Sequence, residues 1–234
     1  GNNTAVGQGA MESTTTGAGM VAVGLSALYT NTTGSNNTAV GKAAMFANTT
    51  GHSQVAFGFG ALDANTTGIQ NTALGYDALS SNTTAAYNVA VGTSSLDANT
   101  TGAANVGVGF SALGANTTGG TNTAIGHEAL DANTTGANNA AMGYNSLGAN
   151  TTGSSNVGIG LNALLANTTA DLVTAVGANA MAANTTGIDN VAFGASALAT
   201  NTTGKFMTAI GVEALQTHNT TNGGGVLSTA VGYK

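Results

Sequence analysis

Residues 122–138 read NTAIGHEALDANTTGAN, and this 17-residue unit recurs with small changes along the chain. Gly126, which follows the Thr-Ala-Ile triplet, has a counterpart every 17 residues from Gly7 to Gly211, and a further one at Gly232 after an interval of 21. A fixed period of this length is the signature of a repeat architecture. The fold is therefore decided by the way in which one unit stacks on the next.

The columns of the repeat, numbered from this glycine, differ in the residues that they accept. Column −1 always holds a large apolar residue, such as Val40, Phe57 or Leu74, and column −2 holds only Ala or Gly. Column +4 is always Leu or Met, column +3 is Ala or Ser, and column +7 is Asn in eleven successive units, each followed by Thr-Thr. The alternation of large and small residues before a glycine predicts a short strand and a turn. The segment Asn-Thr-Thr-Gly predicts a second turn, because Asn and Gly tolerate left-handed backbone angles.

These elements predict an all-β fold. A 17-residue period is not a whole number of helical turns, and Gly, Asn and Thr disfavour a helix. Collagen is excluded because its glycine recurs at every third residue. We therefore expect a parallel β-solenoid or β-roll of 17-residue coils, with equivalent side chains lying over one another about 4.8 Å apart.

The predicted domain organisation is almost uniform. Residues 1–215 form the regular solenoid, and residues 216–234 form the last coil, which carries a glycine-rich insertion at 219–225. The segments 171–173 and 205–207 depart from the consensus. They predict surface bulges or loops, with the regular stack continuing on both sides.

Composition excludes several classes of function. Only 5% of the residues are charged, the net charge is −6 and the three basic residues are all lysine. No basic patch could follow a phosphate backbone, so we expect no nucleic-acid partner. No apolar run reaches the roughly 20 residues of a membrane span, so we expect no membrane insertion. The chain has no cysteine, which excludes disulfide and thiolate-metal frameworks.

Burial arguments predict association of several copies. Each coil offers only about two large apolar side chains, in columns −1 and +4, to offset the entropy of ordering 17 residues, so a single thin solenoid is marginal. We expect the large residue of column −1 to lie inside its own coil and the small residue of column −2 to pack against another chain. The predicted assembly is an intertwined or side-by-side homotrimeric fibre.

The repeats also resemble those of a known class of fibre. Residues 71–84, NTALGYDALSSNTT, look like the N-T-A-V-G-Y-x-A-L-x-x-N-T-T-G arrays of phage-type tail-fibre proteins. They are similar, more distantly, to the head repeats of trimeric autotransporter adhesins, although those repeats are usually shorter and lack the N-T-T element. The resemblance covers almost the whole chain. It implies a trimeric, left-handed parallel β-roll, extracellular, on a cell surface or in a virion, that serves as a stalk or an adhesive surface.

The asparagines of column +7 are the most regular candidate site. Each begins an N-x-T sequon, which is a potential N-glycan acceptor. Alternatively, the side-chain amides stack as a ladder inside the turn while the threonines cap it. Sugars about 5 Å apart would be crowded, which favours the ladder. The residues are Asn31, Asn48, Asn65, Asn82, Asn99, Asn116, Asn133, Asn150, Asn167, Asn184 and Asn201. Asn2, Asn36 and Asn219 also begin sequons.

Two further columns suggest surface contacts. Column +1 carries Phe59, Tyr76, Phe110 and Tyr144, which could stack on surface glycans or pack between chains. The threonine columns are reminiscent of ice-binding solenoids, but Thr49 and Thr50 are adjacent, so only one of each pair can face outward from a strand.

No catalytic group, metal site or cofactor site emerges from the sequence. His52, His127 and His218 occupy unrelated columns, so stacking does not bring them together. Nine acids are too few for a calcium ligand in every coil. We therefore expect a non-enzymatic structural fibre segment. The alternatives are an adhesive head that binds carbohydrate, a glycan-coated extracellular filament and, remotely, an ice-binding solenoid.

Overall fold

The computed structural model describes residues 1–219 and 227–233 and divides into two compact units, Gly1–Gly119 and Gly120–Lys234. Each unit is a parallel β-solenoid of 17-residue coils, and the described residues form no helix. The all-β prediction is therefore confirmed. Most of the insertion predicted at 219–225 lies outside the described residues.

Each coil contributes one short strand, which ends just before the glycine of the repeat. In unit 1 the strands are β1 Thr4–Val6, β2 Val21–Val23, β3 Thr38–Val40, β4 Val55–Phe57, β5 Thr72–Leu74, β6 Val89–Val91 and β7 Val106–Val108. In unit 2 they are β8 Thr123–Ile125, β9 Ala140–Met142, β10 Val157–Ile159, β11 Thr174–Val176, β12 Val191–Phe193, β13 Met207–Ile210 and β14 Ser228–Val231.

Within each unit, consecutive strands pair in parallel and in the register of the repeat. Ala39 lies opposite Ala56, and Val40 lies opposite Phe57, which is 17 residues further along the chain. In unit 2, Ile159 lies opposite Val176 in the same way. The prediction that equivalent side chains stack coil upon coil is confirmed within each unit.

The glycine of the repeat makes the close approach between coils sterically feasible. Gly75, for example, has φ +149°, and a Cβ added there would collide with the carbonyl oxygen of Gly92 in the next coil. Gly92 has φ +134° and would clash with Gly109 in the same manner. Only a residue without a side chain satisfies both the backbone angle and the spacing.

The core consists of the leucines and methionines of column +4 together with small residues of columns −2 and +3. Leu28, Met45 and Leu62 are completely buried, as are Ala39 and Ala44. The column +4 residues reach this position with a left-handed backbone; φ is +52° at both Leu28 and Met45. Left-handed angles are costly for large side chains, and burial of the side chain offsets that cost.

The prediction about which strand residues face inward is wrong. Column −2 points into the coil, where Ala39 is buried, and column −1 points outward, where Phe57 is 48% exposed. At Gly107 even a Cβ would lie 3.4 Å from Leu96 Cδ1 and closer still to Ser95, so the interior of this coil has no room for a larger column −2 residue. The small residue is therefore the core residue, and the large one lies on the outer surface of the sheet.

The two irregular segments form no bulge. Leu172 and Phe206 are exposed and adopt φ values of +59° and +60°, as Asn36 does at the equivalent turn with +59°. The strand register passes through both segments unchanged, with Val157 opposite Thr174 and Val191 opposite Thr208. A turn with an exposed central residue accepts these side chains without an extra residue, so the stack continues as predicted.

Candidate functional site

The asparagines of column +7 form a buried ladder of side-chain amides, here called the NTT ladder. Asn48 Nδ2 donates to Asn31 Oδ1 at 2.7 Å, and Asn82 Nδ2 donates to Asn65 Oδ1 at 2.8 Å. The ladder continues in unit 2, where Asn150 Nδ2 lies 2.9 Å from Asn133 Oδ1. All eleven of these asparagines are completely buried.

Each rung also closes its own turn. Asn48 Nδ2 donates to the carbonyl oxygen of Gly51 at 3.1 Å, three residues along the chain. Both amide hydrogens of such a side chain are therefore used, one within the coil and one between coils. Attaching a sugar to this nitrogen would remove a donor and require space that the interior lacks, so the geometry favours the ladder over N-glycosylation.

The other sequons are located differently. Asn2, Asn36 and Asn219 are all exposed. Asn219 accepts hydrogen bonds through Oδ1 from Thr202, which leaves its nitrogen unconstrained by those contacts. The exposed sequons are therefore distinct in environment from the eleven in the NTT ladder.

A second amide ladder lies in column −4, which the sequence reasoning did not single out. Asn37 Nδ2 donates to the Gly51 carbonyl at 2.8 Å, and Asn37 Oδ1 accepts the backbone N–H of Gln54 at 3.1 Å. Asn156 makes the same pair of bonds to Ala170 and Val173. The recurrence of Asn before the strand was visible in the sequence, but its partners lie 14 and 17 residues further along the chain.

The two threonine columns that follow the NTT ladder have different roles. Thr49 is half-buried, and its Oγ1 donates to the Thr66 carbonyl of the next coil at 3.0 Å. Thr50 is exposed, as are its equivalents Thr33 and Thr67. The hydroxyl groups of the first threonine column thus bond to the backbone of the next coil, and those of the second column face outward.

The aromatic residues of column +1 stack on one another along the coils. Phe59 and Tyr76 are 44% and 54% exposed, and their ring centroids lie 5.3 Å apart at 10°. The Lys42 ammonium lies 5.5 Å from the Phe59 centroid. Because Phe59 has Lys42 above one face and Tyr76 against the other, this cluster presents mainly ring edges to solvent.

The remaining aromatic candidates also lie on the surface. Phe110 and Tyr144 are 48% and 50% exposed, and Tyr144 stacks on His127 with centroids 5.3 Å apart. A further stack, between Tyr29 and Phe46 in column +5, has centroids 5.2 Å apart at 10°. The sequence reasoning missed it, although the two residues are 17 positions apart.

In each unit, the outer surface of the strands is made by columns −3 and −1 and is here called the sheet face; it is apolar in column −1 and mixes Val with Thr in column −3. Column −1 contributes Phe57 and Leu74 in unit 1, and Met142 and Phe193 in unit 2, all between 36% and 48% exposed. Column −3 holds Val, Thr or a single Ala and lies half-buried in most coils. No residue of either column carries a charge.

The charge of Asp77 acts on two other carboxyl groups in unit 1. The pKa of Asp63 is raised by burial and, secondarily, by the negative charge of Asp77. The pKa of Asp97 is raised mainly by burial; backbone hydrogen bonds from Ala98 and Asp97 oppose this shift, and Asp77 adds to it. The three acids occupy columns +5, +2 and +5 of different coils.

The histidines lie in unrelated places, and the described residues contain no group of three His, Cys, Asp or Glu side chains that could hold a metal ion. His127 Nδ1 lies 3.6 Å from Glu128 Oε2 on the surface. His52 Nδ1 contacts Ser53 Oγ at 3.2 Å, and His218 Nε2 contacts Ser228 Oγ at 3.3 Å. Each histidine thus has its own local neighbour.

Comparison of the chain with protein-family models, with curated proteins and with solved structures found no match. In the stretches 1–219 and 227–233, no helix is long and apolar enough to cross a membrane.

Proposed function

We propose that this chain is a non-catalytic structural segment, a rigid shaft or spacer in an extracellular or virion fibre, and that it works as an assembly of three copies. The observation that carries the proposal is the pair of amide ladders. In both ladders, buried amide side chains join successive coils through hydrogen bonds, as between Asn48 and Asn31 and from the Gln54 N–H to Asn37. The second ladder is interrupted where column −4 holds Met20, Val173 and Met207. Buried hydrogen bonds in a low-dielectric interior are costly to break, so neighbouring coils resist separation and bending.

The surface and the repeat pattern support the same role. Core columns are nearly constant along the chain, whereas exposed column +1 varies freely, which is the pattern expected when selection acts on stacking. The resemblance of residues 71–84 to tail-fibre arrays favours a stalk, since stacked repeats lengthen a structure without changing its cross-section.

Deletion of whole coils tests the spacer role. Removing residues 38–105 takes out four repeats and joins Asn37 to Val106 in register. We expect the shortened chain to fold and the maximum dimension from small-angle X-ray scattering to fall by about 19 Å, four times the strand spacing of about 4.8 Å. The control deletion of residues 38–97 breaks the register and should unfold the adjoining coils. An in-register deletion that unfolds the chain or leaves its length unchanged would contradict the proposal.

A second candidate function is adhesion to surface carbohydrate, favoured by the exposed Phe59–Tyr76 stack beside Lys42. Aromatic rings and cationic or hydroxyl groups together suit sugar recognition. A glycan array separates the two functions. Binding of a defined saccharide by the wild-type chain that is lost in Tyr76→Ala and kept in Tyr87→Ala would establish adhesion, whereas a shaft binds none.

A further inference from the structure

We infer that the sheet face is the surface through which copies of this chain meet, so that columns −3 and −1 pack against the same columns of another copy. The inference rests on the proposed assembly of several copies and names the surface responsible. It reverses the expectation that column −2 lies between chains, because Ala39, Ala56 and Ala73 of that column are completely buried inside their own coils.

The first argument is the apolar character of an exposed surface. Phe57, Leu74, Met142, Ile159 and Phe193 are each at least 36% exposed, in a column that contains only Val, Ile, Leu, Met and Phe. Single exposed apolar residues are ordinary, but contiguous apolar patches on soluble proteins usually mark an interaction site. In contrast, the exposed residues of column +9, such as Thr33, Thr50 and Thr67, are polar.

The second argument concerns the area. The seven three-residue strands of unit 1, at about 3.3 Å per residue and about 4.8 Å per strand, give that unit a sheet face of roughly 330 Å². Unit 2, in which two strands have four residues, has a face of roughly 360 Å² by the same measure. A standard stable interface takes about 800 Å² from each partner, so the face of a single unit supplies nearly half of that area.

The third argument identifies the partner as another copy. The sheet face carries no charge, so it offers no electrostatic pattern with which to select a foreign protein. Its ridges repeat at the strand spacing, and a second copy with its coils stacked in the same direction has ridges of identical spacing. Large column −1 side chains on a unit of one copy can therefore enter the intervals between those on the same unit of the other copy.

Charge substitutions test this surface. The face variant carries Val40→Lys, Leu74→Lys and Val108→Lys, one in every second coil of column −1. The matched control carries Thr50→Lys, Thr84→Lys and Thr118→Lys, which add the same charge in the same coils at exposed positions of column +9. Light scattering coupled to size-exclusion chromatography should give about three times 22.4 kDa for the wild type and the control, and 22.4 kDa for the face variant.

The possible outcomes separate the two proposals. A wild-type mass of 22.4 kDa in solution would contradict both the proposed assembly of three copies and this inference. If the face variant keeps the wild-type mass, the copies assemble through a different surface and only this inference is wrong. The same conclusion follows if the control variant alone loses assembly. Circular dichroism checks that each variant is folded.

Cysteine crosslinking keeps the inference testable if the face variant does not fold. The chain has no cysteine, so a single substitution reports on a single position. Under mild oxidation, Val91→Cys on the sheet face should form disulfide-linked dimers, and the exposed control Thr101→Cys should not. Linkage at Thr101→Cys without linkage at Val91→Cys would overturn the inference.

Discussion

Ser95 Oγ donates a hydrogen bond to the carbonyl oxygen of Gly107 at 3.0 Å, and a methyl group added at Gly107 would lie 2.6 Å from that hydroxyl. Both positions are alanine in most other coils: column +3 is serine only at Ser95 and Ser146, and column −2 is glycine only at Gly107 and Gly158. Ser146 and Gly158 make the same contact at 2.7 Å. The extra oxygen of one residue thus occupies the space that the missing methyl group of the other leaves.

The pair predicts strong coupling in a double-mutant cycle. Gly107→Ala alone should destabilise the chain by about 1–3 kcal/mol, because it overpacks the coil against Ser95. Ser95→Ala alone should also destabilise it by about 1 kcal/mol, because a hydrogen bond and a little packing are lost. The double substitution restores the alanine pair of the other coils and should lie within about 1 kcal/mol of the wild type.

Urea unfolding followed by circular dichroism measures these free energies. The same three substitutions at Ser146 and Gly158 provide an independent replicate in unit 2, and Ala90→Gly removes a methyl group where no serine fills the space. If the effects of Ser95→Ala and Gly107→Ala simply add, the two residues do not compensate each other.

The NTT ladder predicts that one missing rung weakens two coils. Asn82 Nδ2 donates to Asn65 Oδ1 at 2.8 Å and to the Ala85 carbonyl at 3.2 Å, and Asn82 Oδ1 accepts from Asn99 at 3.3 Å. In Asn82→Ala these buried groups lose their hydrogen-bond partners. Each group that stays buried and unpaired costs about 1–3 kcal/mol of stability. We expect a loss of at least about 2 kcal/mol in the free energy of unfolding, measured by urea titration.

The control for this rung is Thr84→Ala, which removes an exposed hydroxyl two residues away. It should change stability by less than about 0.5 kcal/mol. Hydrogen exchange localises the effect: in Asn82→Ala, the backbone amides of position 82 and of Asn65 and Asn99 should lose protection. An Asn82→Ala chain as stable as the Thr84→Ala chain would show that the ladder contributes little.

Much of this fold follows from the period and from the small-large alternation. Column −1 and the following glycine, as in Leu74 and Gly75, locate every strand end, and equal spacing of the glycines determines the register. The alternation could not tell which side of the strand faces inward, because it shows only that neighbours point to opposite sides. The orientation depends on the room left by the column +4 side chain, such as Leu96, which reaches the interior through a left-handed backbone angle of +55° that nothing in a leucine predicts.

Contacts between equivalent residues of successive coils could be predicted from the sequence, whereas contacts between different columns could not. The ladder through Asn48 follows directly from stacking, since identical residues must then meet. The Asn37–Gly51 bond of the second ladder and the Ser95–Gly107 pair join residues of different columns, 14 and 12 residues apart. Such contacts depend on the path of the coil between columns, which composition and spacing do not specify.

Burial of the NTT ladder predicts a sharp division among the sequons. If the chain is secreted from a eukaryotic cell, folded molecules should carry N-glycans only at exposed sequons, namely Asn2, Asn36 and Asn219. A sugar on Asn82 would break its bonds to Asn65 and Ala85, so molecules modified there should fail to fold. Glycopeptide mapping after enzymatic deglycosylation in heavy-oxygen water measures the occupancy of each site, and substantial occupancy at Asn82 or Asn99 in folded protein would contradict this reading.

The raised pKa values of Asp63 and Asp97 predict that stability falls as the pH rises. The folded chain holds these protons more tightly than the unfolded chain, where the pKa is near 3.8, so their protonated forms favour folding at low pH. That contribution is lost as the pH rises from 3.8 through the raised pKa values of the folded chain.

Asp77→Asn tests this argument, because it removes a like charge that opposes ionisation of both carboxyl groups, and Asn tolerates the left-handed φ of +49° at this position. The variant should therefore lose less stability than the wild type between about pH 4 and pH 7, and carboxyl-carbon NMR titration should show lower pKa values for Asp63 and Asp97. Glu213→Gln, the same charge change in column +2 of unit 2, is the control and should leave both titrations unchanged. Unaltered titration of Asp63 in Asp77→Asn would mean that burial alone raises its pKa.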